Sequence, residues 1–355
     1  MLVAPDSFGG TLSPREAAGA IATGWSRGRP DDEVALQPLS DGGDGLLDAV
    51  DPRAGQLHHV EVSGPRGHPI DAVFALDGGR AVIESARACG LALLAQDQRD
   101  PLMTTTWGVG QLLRAARDAG ASEMLVGLGG SATVDGGAGA VGALGFRALV
   151  AGGSGLKVGG WDLPRVTAIE PGWADDWSDV HVTLLADVTT PLSDAAAIYG
   201  PQKGADAPAV EHLARGLAAW ADVAERSFNR PGLRDEPGTG AAGGLAFGLA
   251  AAIEARIVRG AAIVADLVGL DEQLAGADLV ITGEGRLDAT SAAGKVVGEV
   301  VARARAGGIR VAAVCGQVLE HPEGLEDVEA ASPRGPGPDP AESVATAAQR
   351  LAGRI

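Results

Sequence analysis

Aromatic residues, cysteine and histidine are scarce in this 355-residue chain, and each scarcity removes an explanation. Aromatics make up 3% of it, so burial falls to Ala, Val, Leu and Ile. The two cysteines, Cys89 and Cys315, lie far apart and have no metal-ligand spacing. They argue against a disulfide scaffold or zinc motif and for a reduced, cytoplasmic protein. The six histidines show no ligand or triad spacing. His58 and His59, if on a strand, point to opposite faces. Basic residues are outnumbered 28 to 46, which gives a formal charge of −18 and a pI of about 4.7. No nucleic-acid partner is expected, because phosphate backbones need clustered Lys and Arg. The apolar run from Leu245 to Ile253 is too short to span a bilayer. The opening Met1-Leu2-Val3-Ala4-Pro5-Asp6 does not read as a signal peptide, so no membrane partner is expected either. A Walker A loop, G-x-x-x-x-G-K-[ST], is missing, and so is the G-x-S-x-G elbow of α/β-hydrolases.

What the chain has in excess is glycine, 54 residues, roughly double the usual share. Hydrophobic content of 46% makes disorder a poor reason for it. Much of the glycine falls in five short loops that also carry acids. They are Pro5-Asp6-Ser7, Ser40 to Gly45, Gly129 to Gly137, Ala186-Asp187-Val188, and Gly283 to Asp288. Each follows a run that reads as a β-strand. Glycine lets backbone N–H groups approach a ligand, and N–H groups after a strand can cradle phosphate. Carboxylates there are hard oxygen ligands suited to Mg²⁺. Five such loops at strand C-termini predict one shared anion-and-metal site.

The length allows about two domains. Strands and helices alternate, which predicts a mostly parallel α/β architecture with ligands beyond the strand C-termini. Ser13-Pro14-Arg15-Glu16 reads as a capped helix start, and Ile21 and Trp25 give that helix an apolar stripe. Residues 57–83 read as a hairpin-like β segment around Gly64-Pro65-Arg66-Gly67. Helices are expected over Thr104–Ala119, Ala209–Ser227 and about Ala292–Ala306, with a last one through Val344, Ala348 and Leu351. Residues 229–240 read as a linker or domain crossing.

Single motifs are weaker than their sum. The dinucleotide fingerprint G-x-G-x-x-G occurs at Gly137/Gly139/Gly142 and at Gly238/Gly240/Gly243, but neither follows directly on a strand. A nicotinamide-dependent oxidoreductase is therefore a minor alternative. Gly129 to Gly137 is the best phosphate cradle, with Ser131 and Thr133 as hydroxyl donors and Asp135 as an acid; its bland reading is a tight β–α turn. Gly283 to Asp288 adds Arg286, with Lys295 downstream; its bland reading is a capped turn with a surface ion pair. Asp6, Asp41 and Asp187 are each plausible as plain turn formers. Lys203 reads equally as a substrate cation or a solvated loop lysine.

Taken in order, several segments resemble the bacterial glycerate kinases of the glycerate 2-kinase type. They are Ala4-Pro5-Asp6-Ser7-Phe8, Ser40-Asp41-Gly42-Gly43, Gly127 to Thr133, Gly200-Pro201-Gln202-Lys203-Gly204-Ala205, Gly238 to Gly244, and Ala277 to Asp288. The resemblance implies two α/β domains, one Rossmann-like and discontinuous in sequence, with the active site in the cleft between them. The expected division is 1–55 plus 230–355 against 56–229. It implies transfer of phosphate from ATP, with Mg²⁺, to glycerate or a similar small hydroxy acid, giving 2-phosphoglycerate from glycerate. A homodimer is compatible with it.

On that resemblance, Asp187 and Asp41 are the candidate bases. Ser7, Gly129, Gly130, Ser131, Thr133, Lys203, Gly283, Arg286 and Lys295 are candidates for substrate or phosphate contacts. Asp6, Asp135, Glu284 and Asp288 are candidates for holding Mg²⁺. Gly9 stands where the family usually has lysine, Val134 where it has asparagine, Asp44 where it has glutamate and Thr290 where it has glutamine. These departures leave a weakened or non-catalytic relative as the alternative.

Overall fold

The structure is a computed structural model that describes residues 1–50, 55–157, 159–289, 291, 295–332 and 339–355. The chain divides into two compact units, Met1–Arg53 with Arg259–Ile355, and Ala54–Val258.

The discontinuous unit is built on five parallel strands. Their order across the sheet is Asp327–Ala330, Arg310–Cys315, Leu279–Thr282, Leu2–Val3 and Ala35–Leu36. Numbered along the chain within this unit, that is the order 2-1-3-4-5 of a doubly wound sheet. The three inner strands are apolar and covered on both faces, as parallel sheets require, whereas Ala35–Leu36 at one edge is exposed. Ile281, Ala312 and Val314 pack under helices Pro14–Gly28 and Pro340–Ala352. Val280, Val311 and Ala313 alternate with them and are equally buried. Helix Pro14–Gly28 starts with the expected capping box: Ser13 Oγ accepts from Glu16 N, and Glu16 Oε2 accepts from Ser13 N. Gly24 lets the last helix approach, because a Cβ there would collide with the Ala345 carbonyl.

The continuous unit has a six-stranded mixed sheet. Arg256–Val258, His181–Leu185, Glu123–Gly127 and Arg80–Glu84 run parallel. Pro69–Asp77 and Gln56–Ser63 extend it as antiparallel strands, the expected hairpin. Helix Trp107–Asp118 packs Val109, Leu112, Leu113 and Ala116 on this sheet. Helix Ala207–Ser227 is capped by Asp206 and buries Leu213, Leu217 and Trp220 in a second cluster.

One expected domain boundary is corrected. The sequence puts the return crossing at 229/230, whereas the units divide at 258/259. Helix Ala241–Ile253 buries its side chains in both clusters of the continuous unit. Arg256–Val258 then adds a parallel strand beside His181–Leu185. The Pro- and Gly-rich run 229–240 is a turn inside this unit, tied back when Arg234 pairs with Asp222 and Glu225. Composition marks a turn but does not tell a crossing from a return. The helix expected from Ala292 is described from Val296 to Ala306; residues 290 and 292–294, including Thr290, lie outside the described residues.

Candidate active site

All five glycine-and-acid loops sit at the carboxyl ends of parallel strands, three in one unit and two in the other. In the discontinuous unit the strand order reverses between Leu2–Val3 and Leu279–Thr282. Doubly wound sheets bind ligands at such a point. The two loops leaving it are joined: Asp6 N donates to Gly283 O at 2.8 Å. A Cβ on Gly285 would lie 3.0 Å from Gly9 N, and one on Gly283 would collide with Val314 O. Gly283 is thus required for close packing, whatever else it does.

Around this point Asp41, Glu284, Asp288 and Lys295 act on one another. Burial pushes the Asp41 carboxyl above its ordinary range, opposed by the Gly43 N–H at 2.8 Å and the Lys295 charge. Burial likewise raises Glu284, with Asp288 and Asp41 adding to the rise and Ser291 and Lys295 opposing it. Glu284 is only 8% exposed, and among the described residues its Oε1 has no hydrogen-bond partner. Asp6 Oδ1 accepts from Ser7 N at 2.6 Å, so that oxygen is already engaged. Arg286 is 63% exposed and pairs with Asp288 at 3.5 Å, the geometry of a weak surface ion pair.

The fit of this unit to Mg²⁺ rests on its donor chemistry. Among the described residues, no three His, Cys, Asp or Glu side chains form a ready-made metal cage. Mg²⁺ that rides on substrate phosphates needs only one or two carboxylates. Glu284, with its unengaged oxygen, and Asp288 supply that number.

In the continuous unit, Gly129 to Thr133 follow Glu123–Gly127, and Asp187 follows the neighbouring strand His181–Leu185. The cradle loop is held from two sides. Leu91 N donates to Gly130 O and Ala132 N to Cys89 O. Lys203 reaches it from the other side and is buried, with 4% exposure. Its Nζ donates to Ser131 Oγ and to Thr133 O, both at 2.8 Å. Burial lowers this lysine to about 8, with Cys89 and Asp135 opposing the fall. The solvated-loop reading of Lys203 is therefore excluded.

Asp135 is a correction. Expected as a metal ligand, it is fully buried and saturated with donors. Thr106 N, Thr106 Oγ1, Gly137 N and Gly139 N all donate to its carboxylate, at 2.9 to 3.3 Å. It ties together the starts of helices Trp107–Asp118 and Ala138–Ala143 and keeps no oxygen for a cation. The second dinucleotide-like run, Gly238 to Gly244, is also structural. Ala242, Gly243 and Gly244 are all left-handed. Gly243 O accepts from Gly136 N, and a Cβ on Gly243 would collide with Thr133 O, so this run backs the cradle loop.

The profile described as Glycerate kinase family matches residues 1–354. The chain is 40% identical over 325 residues to a glycerate kinase of Bacillus subtilis, covering 90% of this chain and 85% of that one. It is 39% identical over 303 residues to a glycerate 2-kinase of Escherichia coli, covering 83% and 79%. A solved structure described as a glycerate kinase 2 from Salmonella typhimurium LT2 superposes with a TM-score of 0.82 at 39% identity, over 99% of this chain and 97% of that one. The chain belongs to the glycerate kinase family. It is by family a phosphotransferase with an alcohol acceptor, and the two-domain α/β fold expected of glycerate kinases is the one observed.

Two departures from the usual glycerate kinase pattern acquire structural reasons. Val134 is fully buried in the cluster around Trp220, so it is a packing residue. Gly9 has a left-handed φ of +50° with open space beyond it. A lysine there has room but pays for the backbone conformation. Asp44 is exposed.

The structure also adds residues that the sequence reading passed over. Glu84 and Ser85 end the parallel strand beside Glu123–Gly127, in the same place as the five loops. Both are buried, and among the described residues Ser85 Oγ has no hydrogen-bond partner. The signal was there: an acid directly after the apolar run Ala81-Val82-Ile83. Thr104, Thr105 and Thr106 are buried too, and Thr104 and Thr106 bond the cradle loop.

Proposed function

We propose that this chain transfers the γ-phosphoryl group of ATP to a hydroxyl of glycerate, giving 2-phosphoglycerate, or to that of a closely related small hydroxy acid. The observation that carries the reading is the group Asp41, Glu284, Asp288 and Lys295 at the strand-order reversal, within a match to one kinase family over residues 1–354. Phosphoryl transfer asks a protein for positioning and charge neutralisation more than for covalent chemistry. Asp187 or Asp41 takes the hydroxyl proton as the substrate oxygen attacks phosphorus. Asp41 suits a base because its carboxyl is held above the ordinary range, closer to working pH. Lys295 offsets part of the charge of the group's three acids and is the cation nearest to hand for phosphate. Gly129, Gly130, Ser131 and Thr133 bind anionic oxygens, and Ser7 does so beside Asp6. Glu284 and Asp288 would hold Mg²⁺. The ion, when bound, neutralises phosphate charge. The two buried cysteines support a reducing, cytoplasmic setting.

A product-identified kinase assay over three- and four-carbon hydroxy acids, with Mg·ATP, tests this reading. Asp187→Asn and Asp41→Asn keep side-chain shape and remove charge. The variant that has lost the base should turn over roughly 10²-fold more slowly, or worse, with its fold intact by circular dichroism. If neither variant slows, the base is a different acid. If the unaltered protein phosphorylates no acid in the panel, the reading is wrong. The non-catalytic alternative, favoured by Gly9 in place of the family lysine, is then the better account.

A further inference from the structure

Lys203 reads at first as a cation for the substrate. Its position argues otherwise. The ammonium is buried, and two of its three N–H bonds are spent on Ser131 Oγ and Thr133 O. An ammonium has no acceptor capacity. Ser131 Oγ must therefore give it a lone pair and cannot donate toward it. The hydroxyl keeps one proton, and among the described residues no acceptor takes that proton. Next to it, Thr133 Oγ1 is buried without a hydrogen-bond partner among the described residues. Ser85 Oγ, at the end of the adjacent strand, is likewise buried without one among the described residues. Buried hydroxyls left without partners are costly; two of them, beside a Ser131 hydroxyl whose proton is unused, mark a place built to donate to something not of the protein.

We propose that Lys203 is a positioning residue that never touches substrate. It fixes the direction of the Ser131 hydroxyl, so that Ser131 donates its proton to an anionic oxygen of the bound substrate. The inference rests on the kinase reading only for the identity of that anion. Its chemical class, a carboxylate or phosphate oxygen, follows from a site that presents hydroxyl donors to it.

The arrangement has a consequence for pH. The groups facing the ammonium are Ser131, Thr133 O, the Cys89 thiol, the Asp135 carboxylate and the ring of Tyr199 at 5.8 Å. Cys89 and Asp135 hold its proton on while burial drives it off, leaving the lysine at about 8. Once neutral, Nζ carries a lone pair. Ser131 can then turn inward and donate to it, and the outward donor is lost. Anion binding should weaken above about pH 8 with little change in bound-state turnover.

A double-mutant cycle tests the proposal. Ser131→Ala and Lys203→Met should each weaken the anion's binding or raise its KM by about tenfold, the scale of one charge-assisted hydrogen bond. The Ser131→Ala/Lys203→Met double variant should be no worse than either single, because both remove the same contact. In Ser131→Ala the rise in KM above pH 8 should vanish. If the two losses multiply, or if Ser131→Ala keeps the pH dependence, Lys203 contacts the anion itself and the proposal is overturned. Binding is read by calorimetry with glycerate, ATP and inorganic phosphate as separate probes, so the cycle is complete even if no phosphoryl transfer occurs. Melting temperatures accompany each variant. Should Lys203→Met fail to fold, Ser131→Ala and Ser131→Cys decide the matter through the pH profile alone.

Discussion

At the scale of single residues, the informative ones are buried groups whose charge the fold disfavours. Lys203 makes the clearest prediction. Its folded value, about 8, lies below its ordinary 10.5. Between these two values the unfolded chain holds a proton there that the folded chain has shed. The unfolded state binds more protons, so this lysine's contribution to stability rises with pH across that window. Denaturant melts of the unaltered protein and of Lys203→Met should therefore diverge from about pH 8 to about 10.5, in favour of the former. A constant difference would mean that the ammonium keeps its ordinary affinity for protons. This trend runs opposite to the loss of anion binding over the same range, so the two cannot be confused. Asp135 shows how a residue can look functional and be architectural. Its spacing after Thr133 suits a ligand loop, yet its carboxylate is consumed by the starts of two helices.

At the scale of elements, glycine decides which segments approach one another. The left-handed turn at Ala242, Gly243 and Gly244 is the sharpest case. Gly243→Ala adds a methyl group where the Thr133 carbonyl already lies and forces a side chain into a left-handed backbone. Overpacking of this kind costs on the order of 1–3 kcal/mol, and the backbone adds to it. The melting temperature should fall by several degrees. Because the clash is with the cradle loop, anion affinity should fall with it. A variant that melts normally and binds normally would show that this turn does not set the loop's position. The helix signals behaved more simply. Ser13 with Glu16, Asp206 and Asp339 all cap as local chemistry dictates.

At the scale of the whole molecule, the charge of −18 opposes anionic substrates, so binding depends on local cations and hydroxyls, not on the overall field. Ligands that bind only the folded chain stabilise it by mass action, about 2.7 kcal/mol at a hundredfold excess over Kd. Thermal unfolding should shift upward with Mg·ATP and again with glycerate, and EDTA should remove most of the ATP-dependent part. Shifts with glycerate but none with Mg·ATP would argue against the assignment of Glu284 and Asp288 to Mg²⁺. Among the described residues no helix is long and apolar enough to cross a membrane.

The sequence alone determined what depends on neighbours in the chain. Alternating apolar strands and amphipathic helices gave the α/β class, and caps gave helix starts. An acid or glycine directly after an apolar run marked the strand C-termini. It also fixed the family, through several motifs in order. Only tertiary structure decided what depends on partners distant in sequence. It placed Arg256–Val258 in the continuous unit, because a strand belongs where its hydrogen bonds are made. It turned Asp135 from metal ligand to helix anchor, because Thr106 comes from 29 residues away. It moved Lys203 from an open loop into the interior, 72 residues from Ser131 in the chain, where burial sets its proton affinity. A loop's composition announces which chemistry it can offer. Which of its atoms remain to offer it depends on the donors and acceptors that the rest of the fold has already taken.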